Sequence, residues 1–346
     1  MVGTIRFPNL GITLTNVIKT FRIGNLSIAC YGVVLAVAMM TGLLLVMRVA
    51  KATGQKEEDY FDLGVIAIIV AVICARIYYV VFSWDYYSAH IAEIFNLRKG
   101  GLAIYGGVAG GVIAVLVFCR IRKLNCLRAL DTASVGLVWG QMLGRWGNFF
   151  NREAFGDYTD NLLAMQLPVS DVRASEITDV MRAHIQTIDG VEYIQVHPTF
   201  LYESLWNLGV LVILLLVTRR ITGIGSSALE NTRARNESGR PLEEPSKANH
   251  SRSAHPGAER SQPQNQPGAE RPQTERPQAG TVFFLYLLLY GTGRFWIEGL
   301  RTDQLILFGT GLPVSQVLSA ILAAASLSIL LFRLLTGRRN RHADDA

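Results

Sequence analysis

The sequence predicts an all-α integral membrane protein, a bundle of seven transmembrane helices with its N-terminus outside and its C-terminus in the cytoplasm. Three observations predict it. Half of the 346 residues are hydrophobic, and they gather in runs near the length that crosses a bilayer core. Only 17% are charged, and many of these sit in one stretch outside the runs. The loops between runs alternate strictly between rich and poor in Lys and Arg, the pattern the positive-inside rule reads as topology.

The elements follow in order. Met1–Gly24 holds Arg6, Lys19 and Arg22 without a small-residue cleavage pattern, and reads as a partly amphipathic arm. The first span is about Leu26–Met47, followed by Arg48, Lys51 and Lys56. The second, about Phe61–Phe82, carries Arg76; an aromatic loop with Trp84, Tyr86 and Tyr87 comes next. The third, about Gly101–Cys119, leads into Arg120, Arg122, Lys123 and Arg128. The fourth, about Ala129–Phe150, is less apolar and precedes a long polar external segment, 151–196. The fifth, about Phe200–Val217, ends at Arg219 and Arg220; the sixth is about Thr281–Ile297 and the seventh about Leu312–Leu335, before a tail with Arg338, Arg339 and Arg341.

Residues 1–224 and 281–346 thus form the membrane domain. Gly225–Gly280 differs in kind: rich in Pro, Gln, Glu, Arg and Ser, it repeats Pro-Gly-Ala-Glu-Arg at Pro256–Arg260 and Pro267–Arg271. Such composition buries too little apolar area to offset chain entropy, so it reads as a disordered cytoplasmic insert.

The net charge of +6 does not imply a nucleic-acid partner, because the basic residues flank spans, where they meet anionic lipid. The partner it implies is the membrane. The four cysteines, Cys30, Cys74, Cys119 and Cys126, show no CxxC spacing, which indicates neither a zinc site nor a disulfide framework.

Charges inside spans cost roughly 2.5–3.5 kcal/mol each on insertion, yet Arg76, Arg145, Glu203, Arg294 and Glu298 lie in or beside apolar runs. One could be a structural ion pair; several, towards the outer ends of spans, point to a polar cavity open to that face. The densest segment is Gly144–Gly156. There Arg145 offers a planar fork suited to phosphate. Asn148 and Asn151 offer amides, and Glu153 can orient an arginine or take a proton. A second cluster, Gly291–Asp303, puts Arg294 and Glu298 four apart on one helix face, with Tyr290 a turn earlier. A third is His197-Pro-Thr-Phe-Leu-Tyr-Glu203. A fourth, Gly100–Gly107, lacks the strand-to-helix context of a nucleotide fingerprint, so close helix packing around Tyr105 is expected.

The run Gly144–Gly156, the His197–Glu203 motif and the Arg294–Asp303 motif, in this order and spacing, resemble the prolipoprotein diacylglyceryl transferases. The resemblance covers nearly the whole chain outside the insert. It implies a seven-helix bundle in the bacterial plasma (inner) membrane with its site towards the outer face. It also implies transfer of the diacylglyceryl group of phosphatidylglycerol to the lipobox cysteine of a preprolipoprotein. That reaction forms a thioether, releases glycerol phosphate and uses no metal or redox cofactor. By the same resemblance Arg145 and Arg294 match essential arginines, and Asn148, Asn151, Glu153 and Gly156 match the signature. Tyr290 and Glu298 flank the second arginine, while Tyr31, Arg76, Asp131, His197 and Glu203 fit further positions. Where many members carry His-Gly-Gly in span three, with that His proposed as the base, this chain has Tyr105-Gly106-Gly107. A phenol with a pKa near 10 is a poor base at neutral pH, so Tyr105 is expected to hydrogen-bond the headgroup. An anion or lipid transporter would carry broken helices or an internal repeat, and the sequence shows neither. A nonenzymatic scaffold would leave the intramembrane charges unexplained.

Overall fold

Most of each of the seven apolar runs lies in a helix. The computed structural model describes residues 2–97, 100–222, 279–307 and 311–344; the insert, apart from Ala279 and Gly280, lies outside them. The helices are α1 (Cys30–Ala52), α2 (Glu57–Phe82), the short α3 (Trp84–Tyr87), α4 (Ile104–Ile121), α5 (Cys126–Asn151), the short α6 (Asp179–Ala183), α7 (Thr199–Thr222), α8 (Thr281–Glu298) and α9 (Val314–Asp344). Their ends follow local chemistry. Glu57, Glu58 and Asp59 face the positive end of the α2 dipole. Asn125 caps α5 by accepting from the Arg128 amide at 3.0 Å. Asp131, on α5, accepts from the Gly280 and Phe283 amides at 2.6 and 2.8 Å, and so caps α8 from a neighbouring helix.

Five of these helices are long and apolar enough to cross a membrane: α1, α2, α4, α7 and, over Val314–Thr336, α9. The two other long helices, α5 and α8, are not among these five; they carry Arg145 and the Arg294–Glu298 pair. The main packed pairs are α1 with α5, α2 with α4, and α8 with α9; α5 also packs on α8. Small residues allow the close approach: a Cβ on Gly136 would stand 2.9 Å from the Gly42 carbonyl, and one on Gly106 only 2.5 Å from the Cys74 carbonyl.

The all-α expectation needs correction. The arm and the external segment build a five-stranded antiparallel sheet in the order β2-β1-β5-β7-β6. Its strands are β1 (Val2–Phe7), β2 (Ile12–Ile18), β5 (Met165–Pro168), β6 (Gln186–Ile188) and β7 (Val191–Val196). A separate hairpin, β3 (Thr20–Ile23) with β4 (Leu26–Ala29), takes up what the apolar count assigned to the start of span one, and α1 begins at Cys30. The physical reason lies in a period of two: Ile5 and Phe7, Met165 and Leu167, and Ile194 and Val196 alternate with Arg6, Gln166 and Gln195. These apolar side chains form one core with Phe149 at the end of α5 and Phe200 at the start of α7. The sheet therefore fixes the relative position of those two helix ends, the ends that carry the polar motifs.

Candidate active site

The C-terminal ends of α5 and α8 and the N-terminal end of α7 meet around one carboxylate. Glu203, in the first turns of α7, is buried, its side chain only 4% exposed. Its Oε2 lies 2.7 Å from Arg145 Nε on α5, and its Oε1 lies 2.7 Å from Arg294 Nη1 on α8. Arg294 Nη2 is paired with Glu298 one turn on. Arg301 approaches the same two glutamates at 4.0 and 3.9 Å, and holds Asp303 bidentately at 2.9 and 2.7 Å. Three cations and three carboxylates thus neutralise one another across three chain segments, which is what makes their burial tolerable. Arg145 has five N–H donors, but apart from Nε its hydrogen bond among the described residues is Nη1 to Asn148 Oδ1 at 3.5 Å. Its terminal nitrogens are therefore suited to taking an anionic ligand.

From Arg145 the network runs outward. Asn148 and Asn151 both donate to Glu153 Oε1, at 3.1 and 3.2 Å. The chain then turns through Arg152 and Ala154, both in the left-handed region. Arg152 is fully buried and pairs with Asp171 at 2.9 Å while donating to the Phe150 and Val17 carbonyls. It ties the end of α5 to the N-terminal arm, a role its sequence neighbourhood gave no reason to suspect.

Gly156 closes the far side. Its amide donates to the His197 carbonyl at 3.0 Å, and Gly156 bridges to Arg301. A Cβ here would stand 2.7 Å from the Leu300 carbonyl oxygen and 2.8 Å from the His197 Cβ. Three segments cross at this point, so no larger residue fits. Gly147 is comparably constrained, with the Tyr31 ring where its Cβ would be. That contact sets Tyr31 against α5, two residues from Arg145.

Other expected site residues stand further off in the network. His197 Nδ1 lies 3.3 Å from the Tyr202 hydroxyl and 3.4 Å from the Asn161 amide, rather than on the arginine–glutamate group. Burial lowers its pKa below the usual histidine value, against an opposing pull from Asp157. Tyr290 stacks on Tyr286, whose hydroxyl accepts from Gln141 at 2.8 Å. Tyr105, in the first turn of α4, makes no hydrogen bond to any described residue. Arg76 has no carboxylate partner among the described residues. It donates instead to the carbonyls of Glu93, Ile94, Gly100 and Gly101 at 2.7–2.9 Å, with the Tyr87 ring 5.1 Å away. Gly100 and Gly101 have φ of +83° and +80°, and a Cβ on Gly101 would strike Arg76. Arg76 is thus a cation that holds the loop leading into α4. Among the described residues no group of three His, Cys, Asp or Glu is placed to hold a metal.

The chain as a whole is similar to known proteins. A family model described as prolipoprotein diacylglyceryl transferase matches residues 19–231 and 269–332. A phosphatidylglycerol–prolipoprotein diacylglyceryl transferase of Clostridioides difficile (strain 630) is 35% identical over 301 residues, 87% of this chain and 89% of its own length. One from Bacillus velezensis is 33% identical over 325 residues, 94% of this chain and 95% of its own. One from Acaryochloris marina is 35% identical over 303 residues, 88% of this chain and 85% of its own.

Proposed function

The chain belongs to the prolipoprotein diacylglyceryl transferase family, and from that premise we propose that it moves the diacylglyceryl group of phosphatidylglycerol to the lipobox cysteine of a preprolipoprotein. The observation that carries the reading is the convergence of Arg145 and Arg294, from two helices, on the two oxygens of Glu203. Two forks brought to one point suit the two non-bridging oxygens of a phosphodiester.

The chemistry follows. The cysteine thiol gives its proton to water, and its sulfur attacks the carbon of the diacylglyceryl group that bears the phosphate ester oxygen. A C–S bond forms, the C–O bond breaks with its electron pair on oxygen, and glycerol phosphate leaves. Arg145 and Arg294 stabilise the charge that grows on the departing phosphate, and Glu203 holds them in place before the lipid arrives. Asn148, Asn151 and Glu153 line the headgroup side, with Gly156 as the junction that keeps the wall in register. Tyr31, Tyr290, Glu298 and His197 support it, and Tyr105 hydrogen-bonds the lipid from α4. A transporter reading has no support in the relatives' names.

We also place the protein in the bacterial plasma membrane as a seven-span bundle with its N-terminus and site outside. Supporting this are seven helices of at least 18 residues among the described residues, the basic loops and the family. Reporter fusions at Tyr158 and Thr302 should read as external and at Lys123 and Pro256 as cytoplasmic; a cytoplasmic Tyr158 sinks the orientation. The dispensability of the insert is supported by the family match, which leaves residues 232–268 out. Replacing Ser226–Gln278 with a short Gly/Ser linker should leave turnover near that of the intact chain; its loss in a folded variant would refute dispensability. The activity itself is tested with purified protein, phosphatidylglycerol and a lipobox peptide. The peptide should gain one diacylglyceryl mass, and a Cys→Ser peptide should not; no gain on the cysteine peptide would overturn the reading.

A further inference from the structure

Beside the arginine–glutamate group, on the outer side of Glu153, lies a cavity of about 290 Å³ between the end of α5, the arm and the segment after β5. Its cations are Lys19, Arg152 and Arg173, and its acids are Glu153, Asp171 and Glu176. Three charges of each sign give no net formal charge, so the wall favours neither an anion nor an ammonium group. It offers acceptors and donors side by side, which is what neutral hydroxyls bind.

The donors and acceptors are held in place. Lys19 Nζ donates to the Asp171 carbonyl at 2.6 Å. Arg152 is engaged by Asp171. Arg173 reaches Glu176 at 3.1 Å and Glu153 at 3.9 Å. The Glu176 side chain is 7% exposed, and the charged groups around it are Arg173 from its own segment, Asp303 after α8, and Glu153 after α5. Burial raises the Glu176 pKa and lowers that of Lys19, as expected for groups in a cleft partly withdrawn from water.

The cavity is also joined to the phosphate-holding point. Asn151 and Glu153 line it, and the Glu153 oxygen that accepts from Asn151 also accepts from Asn148, the neighbour of Arg145. A ligand with its phosphate at Arg145 and its next few atoms passing Glu153 therefore ends in this cavity.

We propose that the cavity receives the terminal glycerol of the phosphatidylglycerol headgroup and selects lipids by that polyol. Carboxylates Glu153 and Glu176 accept from its hydroxyls, and Asn151 and Lys19 donate to them. The proposal rests on the transferase reading, and it adds the part of the lipid on which selectivity depends.

The test compares two lipids with the same acyl chains and the same phosphodiester, one with a glycerol headgroup and one with a methyl group in its place. Both retain the leaving phosphate, so both report transfer to the peptide; only the first reports the cavity. The intact protein should use the glycerol lipid about tenfold better in kcat/KM, the scale of two hydrogen bonds. Glu176→Gln and Lys19→Met, each checked for folding by gel filtration, should bring that ratio to within about threefold of unity. Equal use of both lipids by the intact protein would overturn the proposal, as would variants that lower both lipids by the same factor. Transfer from neither lipid would instead remove the transferase reading beneath it.

Discussion

Replacing Glu203 by Ala would leave Arg145 and Arg294 facing each other without the carboxylate between them. The two lost contacts are both 2.7 Å, to a side chain only 4% exposed. Arg294 would keep Glu298, whereas among the described residues Arg145 would keep only its 3.5 Å contact to Asn148. Breaking a buried ion pair by removing one partner costs about 3–5 kcal/mol, because the remaining charge stays desolvated. Glu203→Gln is milder. Its oxygen can still accept from one arginine, but its amide nitrogen points N–H groups at the other, costing about 1–3 kcal/mol. The expected order of stability in detergent is wild type, then Gln, then Ala, read by thermal melting and protease resistance. In the Gln variant the arginine whose acceptor is lost is displaced, so turnover should fall more than lipid affinity. A Glu203→Ala protein as stable and as active as the wild type would refute the hub role assigned to this carboxylate.

Other positions give sharper local tests. Gly156→Ala forces a Cβ within 2.8 Å of both Leu300 and His197 atoms, and should cost about 1–3 kcal/mol in a melting experiment; an unchanged melt means the crossing can relax. Asp131→Ala removes the cap of α8 and should cost about 0.5–2 kcal/mol, with transfer to the peptide retained; loss of transfer without loss of stability would argue against a purely structural role. The lowered His197 pKa means that its unfolded form takes up a proton first as pH falls. Its share of stability is therefore full above the unfolded value of about 6.5 and is lost as pH drops through the folded pKa. Comparison of melting curves from about pH 8 to 5 should show a flatter profile for His197→Gln than for the wild type; parallel profiles would contradict this.

Much of the helical layout was legible because bilayer-length apolar runs are a direct signal. The arginines were legible for the opposite reason, as charges in the wrong solvent. The sheet was missed because 151–196 was read by overall polarity. The alternation Met165-Gln166-Leu167 and Ile194-Gln195-Val196 was present to be counted. Glu203 was singled out, but its hub position was not, since it arises only when α5, α7 and α8 converge. Arg76 was legible as a costly charge but not as the holder of a loop, because its guanidinium is met by backbone carbonyls that only the fold brings together. Arg152 gave no signal, as its burial depends on the left-handed turn that follows α5.

The central claim is that Arg145 and Arg294 hold one phosphate and act on it as it leaves. It is tested most directly by the single-turnover rate of diacylglyceryl transfer in Arg145→Lys and Arg294→Lys at saturating lipid, set beside lipid affinity in the same proteins. Lys keeps the charge and loses the fork, so both variants should bind phosphatidylglycerol with modest loss yet transfer slowly, and the Ala variants should not transfer at all. Near-normal transfer by Arg145→Ala or Arg294→Ala would contradict the account.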